Sequence, residues 1–387
     1  MLNSTGLEKR REPPAQPAHE VAPRILNLPE MVAELPEEDQ ERFHRIFYIS
    51  EVSGALAPPE AMHDWIRGYF GSVEAVSTQQ IIKVTNLVSW EGALYNELRA
   101  RRPLEVRGTA DLDRVIAETR NDPFCRPLEG TPADTFGRVQ GKHSITASNV
   151  AKYDGSHGIV IFDEHHPLVL TRERVRDYID TAWEWGRQAH AADPAASYFF
   201  FMWNCVWKAA ASLVHGHTQM TLTRDMHYPK VEFLRRQAAA YCAQYDADYF
   251  QDLLAVDRAL QLGFRWRSVD VAVSLTPVKE RETLLITSSL NDDLKDAIFT
   301  VLDTFIKRLG VSSFNVAIQM PPIGPAAEDW SGFPVLARIV DRGDPMNRTG
   351  DIGAMELYAA SVIGTDPFFV AEALDAAFQE QWMESRL

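Results

Sequence analysis

Histidine is missing from the C-terminal part of the chain: of the eleven present, none follows His227. Any histidine chemistry therefore belongs to the first two-thirds. Cysteine is nearly as scarce. Cys125, Cys205 and Cys242 are the three, too few for a disulfide framework and in keeping with a cytoplasmic, reducing setting. No run approaches the ~18 apolar residues of a membrane span, so no membrane partner is expected. Basic residues are outnumbered, and the formal charge is −15 at pH 7. Phosphate-backbone binding needs a basic face, which argues against nucleic acid as a partner. A small anionic substrate is still allowed, because local charge can oppose net charge. GxGxxG and Walker A loops are absent. The N-terminal MLNSTGLEKRREPPAQPAHE lacks the apolar core of a signal peptide. Residues 1–29 read as a disordered tail.

What is present is ordinary in bulk, 45% hydrophobic and 24% charged, and long enough for two or three packed units. Residues 30–105 read as a mostly helical N-terminal extension. In it SWEGALYNELRARR (89–102) carries Ala93, Leu94 and Leu98 at helical spacing and stops at Pro103. TADLDRVIAETR (109–120) is a second helix, with Thr109 as its N-cap. NDPFCRPLEGTPADTFGR is loop. GIVIFDEHHP (158–167), SYFFFMWNCVW (197–207) and VHGHTQMTLT (214–223) read as strands, with a long amphipathic helix over 171–193. Two helices over 228–260 follow, then the strands VDVAVSLTP and ETLLITSS. A helix over 290–310 has Gly310 at its C-cap. SFNVAIQMPP, FPVLARIVD and GAMELYAASV are strands, and DPFFVAEALDAAF a final helix. Two successive strand blocks, each with a long helix, predict an antiparallel α+β fold with a degenerate internal duplication.

Histidine chemistry concentrates in ASLVHGHTQMT (211–221). On a strand, alternate side chains share a face, so His215, His217 and Gln219 would form a polar stripe with ~7 Å steps. Gly216 allows close approach. Such a stripe inside a core is costly unless it is used or satisfied. A neutral imidazole can attack phosphorus, and a glutamine two residues on can donate to a phosphoryl oxygen but cannot act as a general acid. The first histidine can instead turn toward a metal. Asp122 and Cys125 stand at knuckle spacing in DPFC. With His165, His166 and His215 they offer an Asp/Cys/His/His set suited to zinc. His143 and His157 read as loop histidines. Arg126 and Arg138 flank the Asp122 loop within reach of phosphates.

These residues resemble a family. NCVWKAAASLVHGHTQ (204–219) is similar to the active-site segment of galactose-1-phosphate uridylyltransferase, in the histidine-triad superfamily of nucleotidyl transferases. The likeness lies in Asn204, Ser212, His215, His217 and Gln219. GSHGIVIFDEHH resembles the family's strand ending in histidine, which falls on His166. NDPFCRP resembles its cysteine knuckle, and ASNVAKYDG its nucleotide-contacting stretch, with Asn149 at the asparagine. The resemblance implies a duplicated histidine-triad α+β unit, usually a homodimer. Residues 106–250 would form the active half and 251–387 a degenerate one. His217 would be the nucleophile, with Gln219 and Ser212 on the phosphoryl oxygens, and Asn149, Asn204 and Lys208 binding nucleotide or phosphate. Asp122, Cys125, His166 and His215 would hold a structural zinc. Glu356, in DIGAMELYAASVIG, would contact the sugar. The implied substrates are a small nucleotide, such as a nucleotide sugar, and a sugar phosphate or phosphate. Alternatives are a dinucleoside-polyphosphate or ADP-sugar phosphorylase or hydrolase, or an inactive nucleotide-binding module. The chain departs from the family in several places. Asp122 replaces a knuckle cysteine, CVWK follows Asn204, and Val362 stands where a glutamine is expected. No late histidines remain for a second metal.

Overall fold

The structure, a computed structural model, describes residues 22–101 and 111–384. Its strands in chain order are β1 (Phe47–Ala55), β2 (Thr78–Asn86), β3 (Gly92–Tyr95), β4 (Ser144–Ser148), β5 (Ser156–Phe162), β6 (Ala196–Cys205) and β7 (His217–Arg224). They continue with β8 (Gly263–Trp266), β9 (Val269–Val273), β10 (Thr283–Thr287), β11 (Phe314–Gln319), β12 (Val335–Asp341) and β13 (Ser361–Ile363). Two sheets form, one ordered β1-β2-β3-β13 and one of nine strands ordered β4-β5-β7-β6-β11-β12-β10-β9-β8. Every pairing in the large sheet is antiparallel. The expected α+β class and antiparallel sheet are both present. No helix among the described residues is long and apolar enough to cross a membrane.

The aromatic run YFFFMW becomes β6, which pairs with β7 on one side and β11 on the other. Buried on both faces, it needs large apolar side chains throughout. Helix Arg172–Ala192, N-capped by the Thr171 hydroxyl, lays Val175, Tyr178, Ile179, Ala182, Trp185 and Ala189 on one face of the first four strands. Tyr178 stacks on Phe162 at 3.5 Å between ring centroids. Helix Asp292–Lys307, capped by Asn291, covers the same face of the other strands.

One lateral row crosses the large sheet. The register runs Ala147, Ile159, Gln219, Met202, Ala317, Arg338, Leu284 and Ala272, each directly opposite the next. A Cβ on Gly158 would strike Trp185, so even-numbered positions of β5 face the helix. His157, Ile159 and Ile161 therefore face away from it. On that far face the β10–β12 end is closed. Phe47, Asn86, Glu91 and Tyr249 cover Leu284, Ile286, Leu336 and Arg338, leaving a space of only ≈ 40 Å³.

The helical reading of 30–105 is corrected. Helices Leu28–Glu34, Glu37–Ile46, His63–Phe70 and Val73–Ser77 are there, but β1, β2 and β3 are the frame. ALY within SWEGALYNELRARR is strand because β3 is paired on both edges, by β2 and by β13 from far along the chain. Long-range pairing overrides the helix propensity of Ala and Leu. Residues 1–21 of the expected tail, and Thr109 and Pro103, lie outside the described residues. Ile25 and Leu28, also assigned to the tail, are buried in the core. The described helix starts at Leu112 with Asp111 as its N-cap. In GAMELYAASV a short helix, Ala354–Tyr358, precedes the three-residue β13.

Arg338 fastens the two sheets. It pairs with Glu282 at 2.7 Å and with Glu91 at 2.9 Å, and the Glu282 side chain is 0% exposed. Burial pushes the Glu282 carboxyl above the usual range. Arg338→Ala would leave that carboxylate buried without its partner, so denaturant unfolding should show a loss of about 3–5 kcal/mol. His227 supplies a pH signature. Burial among Tyr198, Phe200 and Trp330 holds its imidazole down at about 4. Its neutral form is the folded one, so the associated stability is complete above the unfolded value of about 6.5 and is lost as pH falls toward 4. His227→Phe should remove about 3 kcal/mol of the stability change between those pH values, measured by urea titration.

Candidate active site

Three histidines converge where β5 ends and β7 begins, and backbone carbonyls decide which ring nitrogen each presents. His215 lies one residue before Gly216 and outside β7. Its Nε2 donates to the Phe162 carbonyl at 2.9 Å, which leaves Nδ1 with a lone pair. His165 Nε2 donates to the Ile116 carbonyl at 3.0 Å, with the Thr119 hydroxyl at 3.1 Å, and its Nδ1 is likewise bare. The two Nδ1 atoms face each other at 3.1 Å, and Cys125 Sγ lies 3.5 Å from each. Asp122 completes the set, and all four ligand atoms fall within 4.8 Å of one another.

Asp122 Oδ1 caps the turn Pro123–Cys125 by accepting from the amides of Phe124 and Cys125. Its Oδ2 is buried with no hydrogen-bond partner. Facing lone pairs beside a sulfur and an orphaned carboxylate oxygen repel one another unless a cation lies among them. The spacings also suit zinc. A tetrahedral ion with N ligands near 2.0–2.1 Å and sulfur near 2.3 Å separates its ligands by roughly 3.3–3.6 Å. The donor set therefore fits the metal.

The cluster contains His165 in the place expected for His166. β5 ends at Phe162, so strand alternation stops before the histidine pair. Gly216 N–H donates to the His165 carbonyl at 3.1 Å and turns the His165 ring inward. His166 Nδ1 accepts from the Leu168 amide, and its Nε2 lies 3.3 Å from Asp113. A Cβ at Gly216 would meet Phe162 at 2.5 Å, so only glycine lets the chain pass there.

His217 has the opposite tautomer. Its Nδ1 donates to the His215 carbonyl at 2.8 Å, so the lone pair is on Nε2. Burial holds this imidazole below the usual histidine range, so it is neutral at pH 7. Phe124 meets it edge-on at 5.2 Å. Ile161 lies directly opposite it, and Ile159 opposite Gln219. Ile145, Ala147 and Phe124 extend this apolar floor. Beside it opens a cleft of ≈ 400 Å³ lined by Phe124, Arg126, Lys142, His143, Ile145, Ile161 and His215, among others.

The remaining expected residues divide. Asn204 is on β6, where its Oδ1 accepts from Asn315 at 2.7 Å. Asn149 caps its own turn, accepting from Ala151 N–H, with its Nδ2 3.1 Å from His157 Nε2. Ser212 is exposed in the loop before His215. Lys208 donates to the carbonyls of Asn347 and Thr349, and Trp207 to that of Pro345. These bonds strap the β6–β7 loop to the second half and hold buried Val206 at φ 69°, ψ 161°. That region is nearly glycine-only and costs about 1–3 kcal/mol for another residue. Glu356 accepts from Gly353 N–H at 2.8 Å and caps its own helix. Arg138 is committed to the carbonyls of Thr131 and Thr146. His157, read as a loop residue, is on β5 and contacts Gln219. Its alternation with Ile159 and Ile161 was the available signal.

No protein-family model and no curated protein matches the chain. Solved structures do. An ADP-glucose phosphorylase from Arabidopsis thaliana, with bound ADP-glucose, superimposes with a TM-score of 0.56 at 16% identity, over 74% of this chain and 95% of that one. A uridylyltransferase matches with a TM-score of 0.52 at 16% identity, over 65% and 89%. The chain has the uridylyltransferase fold. A galt-like protein from Arabidopsis thaliana shares this uridylyltransferase fold, with a TM-score of 0.52 at 16% identity over 66% and 92%.

The four-ligand geometry yields a direct test. Elemental analysis should find about one zinc per chain in wild type and in His166→Ala. His165→Ala and Asp122→Ala should lose it and melt several degrees lower. Metal retained by His165→Ala, or lost from His166→Ala alone, would reverse the assignment.

Proposed function

We propose that the protein is a nucleotidyl transferase that carries a nucleoside monophosphate on His217. The tautomer of His217 is the observation that supports this most. With Nδ1–H held by the His215 carbonyl, the Nε2 lone pair attacks the α-phosphorus of a nucleotide donor. A P–N bond forms, and the P–O bond to the departing phosphate breaks, that oxygen keeping the electron pair. An acceptor phosphate oxygen then attacks the same phosphorus, and the electrons of the P–N bond return to Nε2. Gln219 stabilizes the phosphoryl oxygens by donating hydrogen bonds. Ser212 and Asn204 complete the phosphate site, and the cleft floored by Ile145 and Ile161 takes the nucleoside.

Asp122, Cys125, His165 and His215 would hold zinc, which when bound supplies a structural cross-link between the 112–125 segment and the β5–β7 edge. The two halves of the large sheet are read as duplicated histidine-triad-like units, the second without chemistry. The phosphorylase reading draws support from Glu356, whose carboxylate is spent on its own helix and leaves the sugar contact without its expected residue. The likeness to the ADP-glucose phosphorylase leans the same way.

Incubating the enzyme with radiolabelled UDP-glucose or ADP-glucose and quenching in base, where phosphoramidates survive, should leave label on wild type and none on His217→Ala. Label on both, or on neither, would refute the covalent route. Chasing labelled enzyme with inorganic phosphate or with a hexose 1-phosphate tells the acceptors apart. Release by phosphate alone is expected for a phosphorylase.

A further inference from the structure

We infer that His157 is a positioning residue for this transfer, holding the Gln219 amide with its NH₂ edge toward the reacting phosphoryl group. The inference rests on the reading of His217 as nucleophile. His157 Nε2 lies 2.9 Å from Gln219 Oε1, and the Tyr153 hydroxyl approaches the same oxygen at 3.4 Å. The Tyr153 hydroxyl lies nearer to Met202 Sδ, at 3.0 Å, so the His157 contact, with the proton on Nε2, is the one that identifies that atom as the oxygen end of the amide. The opposite, donating end is then the one left for the ligand. Without that lock the amide could turn its oxygen toward an anionic phosphate and repel it.

His157 is 0% exposed, and its Nδ1 has no partner. A wholly buried imidazole with one satisfied nitrogen is a poor core residue. With the proton on Nε2, only a bare acceptor is orphaned, which costs less than an orphaned N–H. Asn149 Nδ2 also approaches Nε2, at 3.1 Å. One nitrogen cannot serve both, and the Gln219 contact is the shorter, at 2.9 Å. The Tyr153 ring covers His157 at 4.0 Å between centroids.

The other half of the sheet repeats the device. Gln219 and Arg338 lie in one row, on either side of the central pair Met202 and Ala317. Ile159 is opposite Gln219 as Leu284 is opposite Arg338. His157 precedes Ile159 by two residues, and Glu282 precedes Leu284 by two. Each reaches the same diagonal partner, Glu282 accepting from Arg338 at 2.7 Å. The same spacing places Leu336 as the counterpart of His217. The second half thus has a diagonal polar pair in the same register, with leucine at the position that His217 takes in the first.

The test is the single-turnover rate of nucleotidyl-enzyme formation, with donor affinity measured separately. His157→Leu should slow the step about 10- to 100-fold while changing donor affinity less than about threefold. His157→Gln, whose side-chain NH₂ reaches the place of Nε2, should recover to within about threefold of wild type. In a Gln219→Ala background, His157→Leu should cost less than about a further twofold, because the residue acts only through that amide. Equal losses in both backgrounds, or a well-folded His157→Gln no better than His157→Leu, would overturn the inference alone. A wild type that takes no label would overturn it together with the parent reading.

Discussion

Everything at this site depends on which ring nitrogen a backbone carbonyl claims. Phe162 and Ile116 take Nε2–H from His215 and His165, so both rings show Nδ1 to the same small volume. The His215 carbonyl takes Nδ1–H from His217, so that ring shows Nε2. Two histidines separated by one glycine thus have opposite tautomers, His215 presenting Nδ1 and His217 Nε2. No charged partner is needed for this division. It follows from the turn at Gly216, where a side chain would collide with Phe162.

The rest of the fold keeps that turn in place and leaves one face open. β6 and β11 join the two halves through the middle of the sheet. Trp207, Lys208 and Asn315 tie the β6–β7 loop to the second half, holding Val206 in a conformation it would not adopt alone. The small N-terminal sheet and helix Tyr249–Ala259 close the far face of β10 and β12, with Arg338 as the fastener. Over β4 and β5 the same face carries Phe124 and the ≈ 400 Å³ cleft beside it.

The chemistry was more legible in the sequence than the frame. Three of the four clustered residues, Asp122, Cys125 and His215, could be picked out because spacing and residue type constrain them locally. His165 was passed over for His166 because the choice depends on where β5 stops, and one residue inverts the direction of a side chain. The mostly helical reading of 30–105 found helices but missed β1, β2 and β3, for a longer-range reason. β3 is made a strand by β13, whose partner residues Ser361–Ile363 lie far along the chain. His157 was read as a loop residue because β5 begins at Ser156, before the apolar run that marks the strand.

The tautomer assignment can be read directly. Long-range ¹H–¹⁵N correlation spectra of histidine-labelled protein report which nitrogen of each neutral imidazole carries its proton. His217 should be protonated on Nδ1 with a bare Nε2, and His165 and His215 on Nε2. A His217 ring protonated on Nε2 would have its lone pair on Nδ1, against the His215 carbonyl and away from any phosphorus, and would contradict that assignment.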